Sequence, residues 1–229
     1  MIDVARVHES ARPGLVPFRY AETRGTPADH ASWWSFDDEQ SVRDRWWHPR
    51  KGETVLDIGA AFGSYAIPAL AAGARVVCFN PAEFDAELLG VNLRLNPELD
   101  RRCLVLRDGL HSRDGWFDPD HCAFSSERKD GAPWLPVRAL DSILEERPGI
   151  ARVDWLKLDV EGAELEVLKG AEKCLRMYRP RVLVENHEFH DKDMPAKVAA
   201  YMAGLGIGYQ HDGPVPHGSV SHSLYKVTP

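Results

Sequence analysis

Thr54-Val55-Leu56-Asp57-Ile58-Gly59-Ala60-Ala61-Phe62-Gly63-Ser64-Tyr65 is the stretch around which the chain is organised. Val55, Leu56 and Ile58 form an apolar run of the length of a buried strand, with Asp57 near its end. Gly59 and Gly63 frame a tight turn, and the spacing predicts a helix over 64–72. A strand that passes through a glycine turn into a helix brings main-chain N–H groups and a helix start close to a ligand. The pattern is D-x-G-x-x-x-G. It differs from the G-x-G-x-x-G of dinucleotide-binding turns, which counts against a nicotinamide dehydrogenase. By itself such a turn occurs in many α/β domains.

Outward from this stretch, apolar runs alternate with helical segments. Strands are predicted at 54–58, 75–79, 103–106, 153–158, 181–185, 207–210 and 223–227. Helices are predicted at 64–72, 82–95, 139–146, 162–177 and 194–204. The alternation implies βαβ units and a mainly parallel sheet. Residues 109–136 break the rhythm and read as a long loop or a small antiparallel insertion. Residues 1–30 read as an arm. In 31–50, Trp33, Trp34, Phe36, Trp46 and Trp47 crowd a segment predicted helical from Phe36 to Trp47, with Asp37 or Asp38 near its start. These aromatics either pack the segment onto the main domain or form a lid over the site. The expected organisation is an N-terminal arm with a Trp-rich segment over 1–50, then one domain over 51–229 with its insertion near 109–136.

The 229 residues are 44% hydrophobic and 28% charged, a globular balance. The net charge of −7 argues against nucleic acid as the main partner, since phosphate binding wants a basic face. No apolar run reaches the length of a membrane span. The N-terminus carries acids and lacks an apolar core, so a cytoplasmic chain is expected. Cys78, Cys103, Cys122 and Cys174 match no metal spacing, and Cys78 and Cys103 read as core residues.

In an open α/β sheet the ligand binds beyond the carboxyl ends of the strands. Asp57 with Gly59 and Gly63 follows the first predicted strand, Asn80-Pro81 the second and Asp108-Gly109 the third. Asp159-Val160-Glu161-Gly162 follows the fourth and Glu185-Asn186-His187 the fifth. Any one of these is an ordinary cap or turn. Five in succession fit the rim of an active site.

The run LDIGAAFGSY, followed by GARVVCFNP and LLGVNLRLN, resembles a class I S-adenosylmethionine-dependent methyltransferase. VRALDSIL, then VDWLKLDVEGAELEVLKGAEKCL and RPRVLVEN, narrow the resemblance to the FkbM family, over roughly residues 54–187. The resemblance implies a Rossmann-like, doubly wound, mainly parallel seven-stranded sheet. It implies that Asp57, Gly59, Ala60, Ala61, Phe62 and Gly63 cradle the methionine and ribose of the cofactor. Asn80-Pro81 would lie at its ribose, Asp108 and Gly109 near its adenine, and Asp159 between cofactor and acceptor. The family pattern carries an acid where this chain has Asn80; an amide offers hydrogen bonds without the charge.

The resemblance also implies an oxygen acceptor, a hydroxyl of a sugar or natural-product-like small molecule. A hydroxyl must lose its proton, which calls for a base or a metal. His187 is the candidate base, with Asp159 and Glu185 orienting the acceptor. Asp159, Glu185 and Asn186 are similar to the divalent-metal set of catechol-type O-methyltransferases and would suit Mg²⁺. Glu161 stands at the rim, and Glu164 in the first helical turn complements the helix dipole. His211, His217 and His222 fall in a stretch that reads as a loop between the last two strands. Two rival expectations stand beside the small-molecule enzyme. One is a ligand-binding protein that has lost catalysis, motivated by Asn80; the other is a methyltransferase acting on a macromolecule.

Overall fold

The computed structural model describes residues 2–10, 15–23, 39–118, 123–130 and 134–228. Trp33, Trp34, Phe36, Asp37, Asp38 and Cys122 lie outside them. The chain folds as two compact units, residues 1–107 and 108–229.

The first unit opens with an antiparallel pair, β1 (Val4–Ser10) and β2 (Phe18–Thr23). The short helix α1 (Gln40–Trp46) follows. Then come β3 (Thr54–Ile58), α2 (Ala66–Ala71), β4 (Arg75–Phe79), α3 (Glu83–Arg94), α4 (Pro97–Asp100) and β5 (Cys103–Leu106). β3, β4 and β5 pair in parallel, residue for residue as the apolar runs predict. All five residues of β3 are buried, as a strand covered on both faces requires. The arm expected over 1–30 thus contains an ordered strand pair. Cys78 and Cys103 lie on neighbouring strands with their sulfurs 3.8 Å apart and form no disulfide.

The second unit begins with a small four-stranded sheet. Its strands are β6 (Gly109–Leu110), β7 (Gly115–Asp118), β8 (Ala123–Ser125) and β9 (Leu135–Arg138), in the order β6-β9-β7-β8. β7 pairs antiparallel with both β8 and β9, so the interruption at 109–136 is an insertion with its own sheet. Next come α5 (Leu140–Glu145), β10 (Trp155–Leu158), α6 (Glu164–Lys169), α7 (Glu172–Tyr178), β11 (Arg181–Asn186) and α8 (Met194–Gly204). The hairpin β12 (Tyr209–His217) and β13 (Val220–Val227) ends the chain.

The single helix predicted over 162–177 is two. A Cβ on Gly170 would stand 2.1 Å from the His111 carbonyl oxygen, so only glycine allows this approach. The new helix start is capped from elsewhere: the Asp141 carboxylate accepts the main-chain N–H groups of Lys173 and Cys174 at 2.8 and 2.9 Å. The predicted loop carrying the C-terminal histidines is also overturned. Residues 209–217 pair antiparallel with β13, and His211 stacks on Tyr225 with ring centroids 4.7 Å apart.

The seven predicted strands make one sheet in the order β12-β13-β11-β10-β3-β4-β5. β10 and β11 pair in parallel, and β13 runs antiparallel to β11. This is the mainly parallel α/β architecture expected.

Candidate active site

The glycine loop of the first unit follows β3. Its backbone enters the left-handed region at Gly59, Ala61 and Gly63, with φ of 79°, 43° and 98°. At Gly63 a Cβ would also meet Leu89 of α3 at 2.8 Å, so both backbone and packing demand glycine. Two buried amides fix the loop. Asn80 Nδ2 donates to the Ala61 carbonyl at 2.7 Å, and Asn92 Nδ2 donates to the Phe62 carbonyl at 2.9 Å. Asn80 therefore has a local task no acid could perform, because a carboxylate has no N–H to give. Pro81 follows it, its carbonyl 3.5 Å from the Arg107 guanidinium. Asp57 and Ala60 are buried beside the loop.

Where the loop enters α2, Tyr65 is held by α1. Trp47 Nε1 donates to the Tyr65 carbonyl at 3.1 Å, the Tyr65 hydroxyl donates to Glu39, and both Trp46 and Trp47 are buried. Glu39 precedes the helix, and its carboxylate makes no capping bond there.

The acids and the histidine of the second unit converge after β10 and β11. His187 is 1% exposed. Its Nδ1 lies 2.5 Å from Glu164 Oε1, and Glu164 is wholly buried. The same Glu164 oxygen accepts the Gly162 N–H at 3.0 Å. With Nδ1 engaged, Nε2 faces Asp159 and Glu161 at 3.5 Å each and Glu185 at 3.9 Å. Glu161 reaches this position from a left-handed backbone, φ 52°, ahead of Gly162 at 97°. Lys157, two residues before Asp159 on the same strand face, pairs with its other oxygen at 2.8 Å.

Burial pushes the His187 pKa down. The hydrogen bond and charge of Glu164, with Asp159 and Glu161 behind it, outweigh burial and raise it to about 9. The arrangement therefore favours the protonated imidazole at His187. Glu164 stands in the first turn of α6, as expected, and is in addition the partner of His187. A buried carboxylate on a helix's first turn has no signature in single-sequence periodicity; the family run DVEGAELEVLKG is the one signal that contains it.

The expected metal set does not assemble as drawn. Asn186 alternates with Glu185 along β11 and turns away, its Nδ2 donating to the Ser221 carbonyl at 3.1 Å. Among the described residues, the ligand atoms of Asp159, Glu161 and His187 cluster within 4.8 Å of one another. Glu185 sits between two imidazoles, with His222 Nε2 3.4 Å from its second oxygen. His222 is buried in β13, a placement hidden while its stretch read as a loop. Gly109 lies in β6, and Asp108 is 4.0 Å from the Arg138 guanidinium, which also reaches Asp114 and Glu146.

A glycine-rich loop after the first sheet strand, acids after β10 and a mainly parallel sheet closed by an antiparallel hairpin define a class I methyltransferase fold. The crystal structure of an FkbM methyltransferase from Methylobacillus flagellatus shares it, with a TM-score of 0.63 at 19% identity over 80% of this chain and 46% of that one. The chain belongs to the FkbM methyltransferase family, whose domain model matches residues 57–210. It is 31% identical over 145 residues to the hexuronic acid methyltransferase AglP of Haloferax volcanii, covering 59% of this chain and 56% of that protein. It is 29% identical over 157 residues to the methyltransferase sdnD of Sordaria araneosa, covering 52% and 60%. The chain thus spans little more than half the length of either relative.

Proposed function

We propose that the chain is an S-adenosylmethionine-dependent O-methyltransferase acting on a hydroxyl of a sugar or natural-product-like small molecule. The observation that carries this reading is His187, buried, oriented through Nδ1 by Glu164 and presenting Nε2 to acids that follow two strands. A base held in this way has a fixed tautomer and direction. Family membership supports methyl transfer, and the name of the Haloferax volcanii relative supports a saccharide acceptor.

Asp57, Gly59, Ala60, Ala61, Phe62, Gly63, Asn80 and Pro81 would hold the donor, with Asp108, Gly109 and Asp159 completing its surroundings. The residues fit this task. A loop with three left-handed positions and two carbonyls pinned by amides is a rigid main-chain platform. Asn80 Oδ1 is the atom that would accept a ribose hydroxyl, since Nδ2 serves Ala61. The donor supplies an electrophilic methyl group on a sulfonium. Asp159 and Glu185 orient the acceptor. His187 Nε2 would take the hydroxyl proton of the acceptor, and Glu164 would stabilise the imidazolium that results. With a pKa of about 9 the neutral imidazole is the minor form at pH 7, but it is a stronger base than an ordinary histidine.

The raised pKa favours a second reading. A charged His187 suits a carboxylate acceptor, which has no proton to lose. Both readings are tested by His187→Ala with S-adenosylmethionine and a hexuronic acid or a neutral hexoside as acceptors. The hydroxyl reading expects turnover on the hexoside to fall at least 100-fold with donor affinity within twofold. Equal loss of turnover and donor binding would sink the assignment of His187 as base.

A further inference from the structure

We infer that Asn92 is a positioning residue for the methyl donor, through which the N-terminal strand pair sets the glycine loop. This rests on the donor-loop reading above. Asn92 sits inside α3, where asparagine is a poor helix former, and is wholly buried. Its amide is used at both ends: Oδ1 accepts the main-chain N–H of Ala21 in β2 at 2.7 Å, while Nδ2 donates to the carbonyl of Phe62 in the loop at 2.9 Å. One planar group thus ties β2 to the turn that would carry the donor.

The attachment of β2 is built by two asparagines. One turn beyond Asn92, Asn96 Oδ1 accepts the Arg19 N–H at 2.7 Å and its Nδ2 donates back to the Arg19 carbonyl at 2.7 Å. Arg19 and Ala21 are about 7 Å apart along the strand, and Asn96 lies just past the end of α3, as the residue before α4. The end of α3 and the residue beyond it thus serve β2 as a neighbouring strand would. Asn96 Nδ2 also donates to the Asn92 carbonyl at 2.7 Å, which joins the two attachments. Because an asparagine amide is rigid and planar, β2 cannot move along α3 without pulling on Phe62 O or breaking a buried hydrogen bond. Asn80 holds the preceding carbonyl, so the loop is fixed on consecutive peptides by amides of different origin.

The test is calorimetric titration of the full chain with S-adenosylmethionine, alongside thermal unfolding. Asn92→Leu, which removes both ends of the link, should raise Kd about tenfold, the worth of one or two hydrogen bonds. Asn96→Ala touches no loop atom but loosens β2, and should raise Kd about threefold. Asp141→Ala, which uncaps α7, should lower Tm without changing Kd, separating loop positioning from general destabilisation. Should Asn92→Leu fail to fold, Asn96→Ala decides. Wild-type binding with both asparagine variants within twofold of it overturns the inference. Absence of wild-type binding at millimolar donor instead overturns the donor-loop reading, and the inference with it.

Discussion

His187 Nδ1 and Glu164 Oε1 stand 2.5 Å apart with both side chains removed from solvent, an imidazole–carboxylate pair inside the second unit. The pair sets both the protonation of His187 and the direction of its free nitrogen. The hydrogen bond and charge of Glu164, together with the charges of Asp159 and Glu161, hold the proton against the cost of burial.

That balance makes stability depend on pH. The folded-state pKa of His187, about 9, lies above the ordinary 6.5. Its contribution is therefore complete below pH 6.5 and is lost as pH rises through about 9. Denaturant unfolding should show stability falling by roughly 2–4 kcal/mol across this window from the His187 site alone. Glu164→Gln keeps a hydrogen-bonding oxygen but removes the charge, and should flatten most of that slope. An unchanged slope in the variant would assign the titration to other groups.

The same pKa predicts the rate profile. If neutral His187 accepts the proton of a hydroxyl, kcat on a hexoside should rise nearly tenfold per pH unit from pH 6 and level near 9. Stopped assays of S-adenosylhomocysteine release would follow this. A flat profile between pH 6 and 8 would remove His187 as the base and favour a carboxylate acceptor.

Asn80→Asp restores the acid found in the wider family pattern, yet it should weaken donor binding here. The variant would place a carboxylate oxygen against the Ala61 carbonyl where an N–H now donates at 2.7 Å. A three- to tenfold rise in Kd by calorimetry is expected, about 1 kcal/mol. Tighter binding in Asn80→Asp would show that ribose contacts outweigh the loop contact.

Asp159, Glu161 and His187 also bear on metal use, because a cation would occupy the nitrogen assigned to proton transfer. Titration with Mn²⁺, followed by its paramagnetic resonance signal, should show no ion whose binding depends on His187. One ion per chain, lost in His187→Ala and Asp159→Asn alike, would replace the base reading with a metal-assisted one.

Asp141→Ala should cost about 1–2 kcal/mol of unfolding free energy, since two main-chain N–H groups at the start of α7 lose their acceptor. Asp141→Asn should recover part of this through its remaining carbonyl oxygen. Equal losses in both variants would point to the carboxylate's charge instead of the cap.

The elements that were legible in the chain are those whose cause is local. Mainly apolar runs such as Val55–Ile58 and Val76–Phe79 become buried strands because no other placement hides them, and seven such runs matched the strands of the main sheet. Gly59 and Gly63 announced a turn because few residues tolerate a left-handed backbone. Polar residues after β10 and at the end of β11 marked the place where Asp159, Glu161, Glu185 and His187 meet. What stayed hidden depends on partners distant in sequence. The break at Gly170 follows from the approach of His111, and the cap of α7 comes from Asp141. The burial of Glu164 follows from α6 turning toward His187, and that of His222 from the pairing of β13. Asn80 shows the division most plainly: its identity was readable as a departure from the family pattern, but its task, donating to Ala61, exists only once β4 and the glycine loop are folded together. Local backbone preference and hydrophobic burial are written residue by residue, whereas a proton's affinity or an amide's partner is a property of the groups that the fold brings within 3 Å.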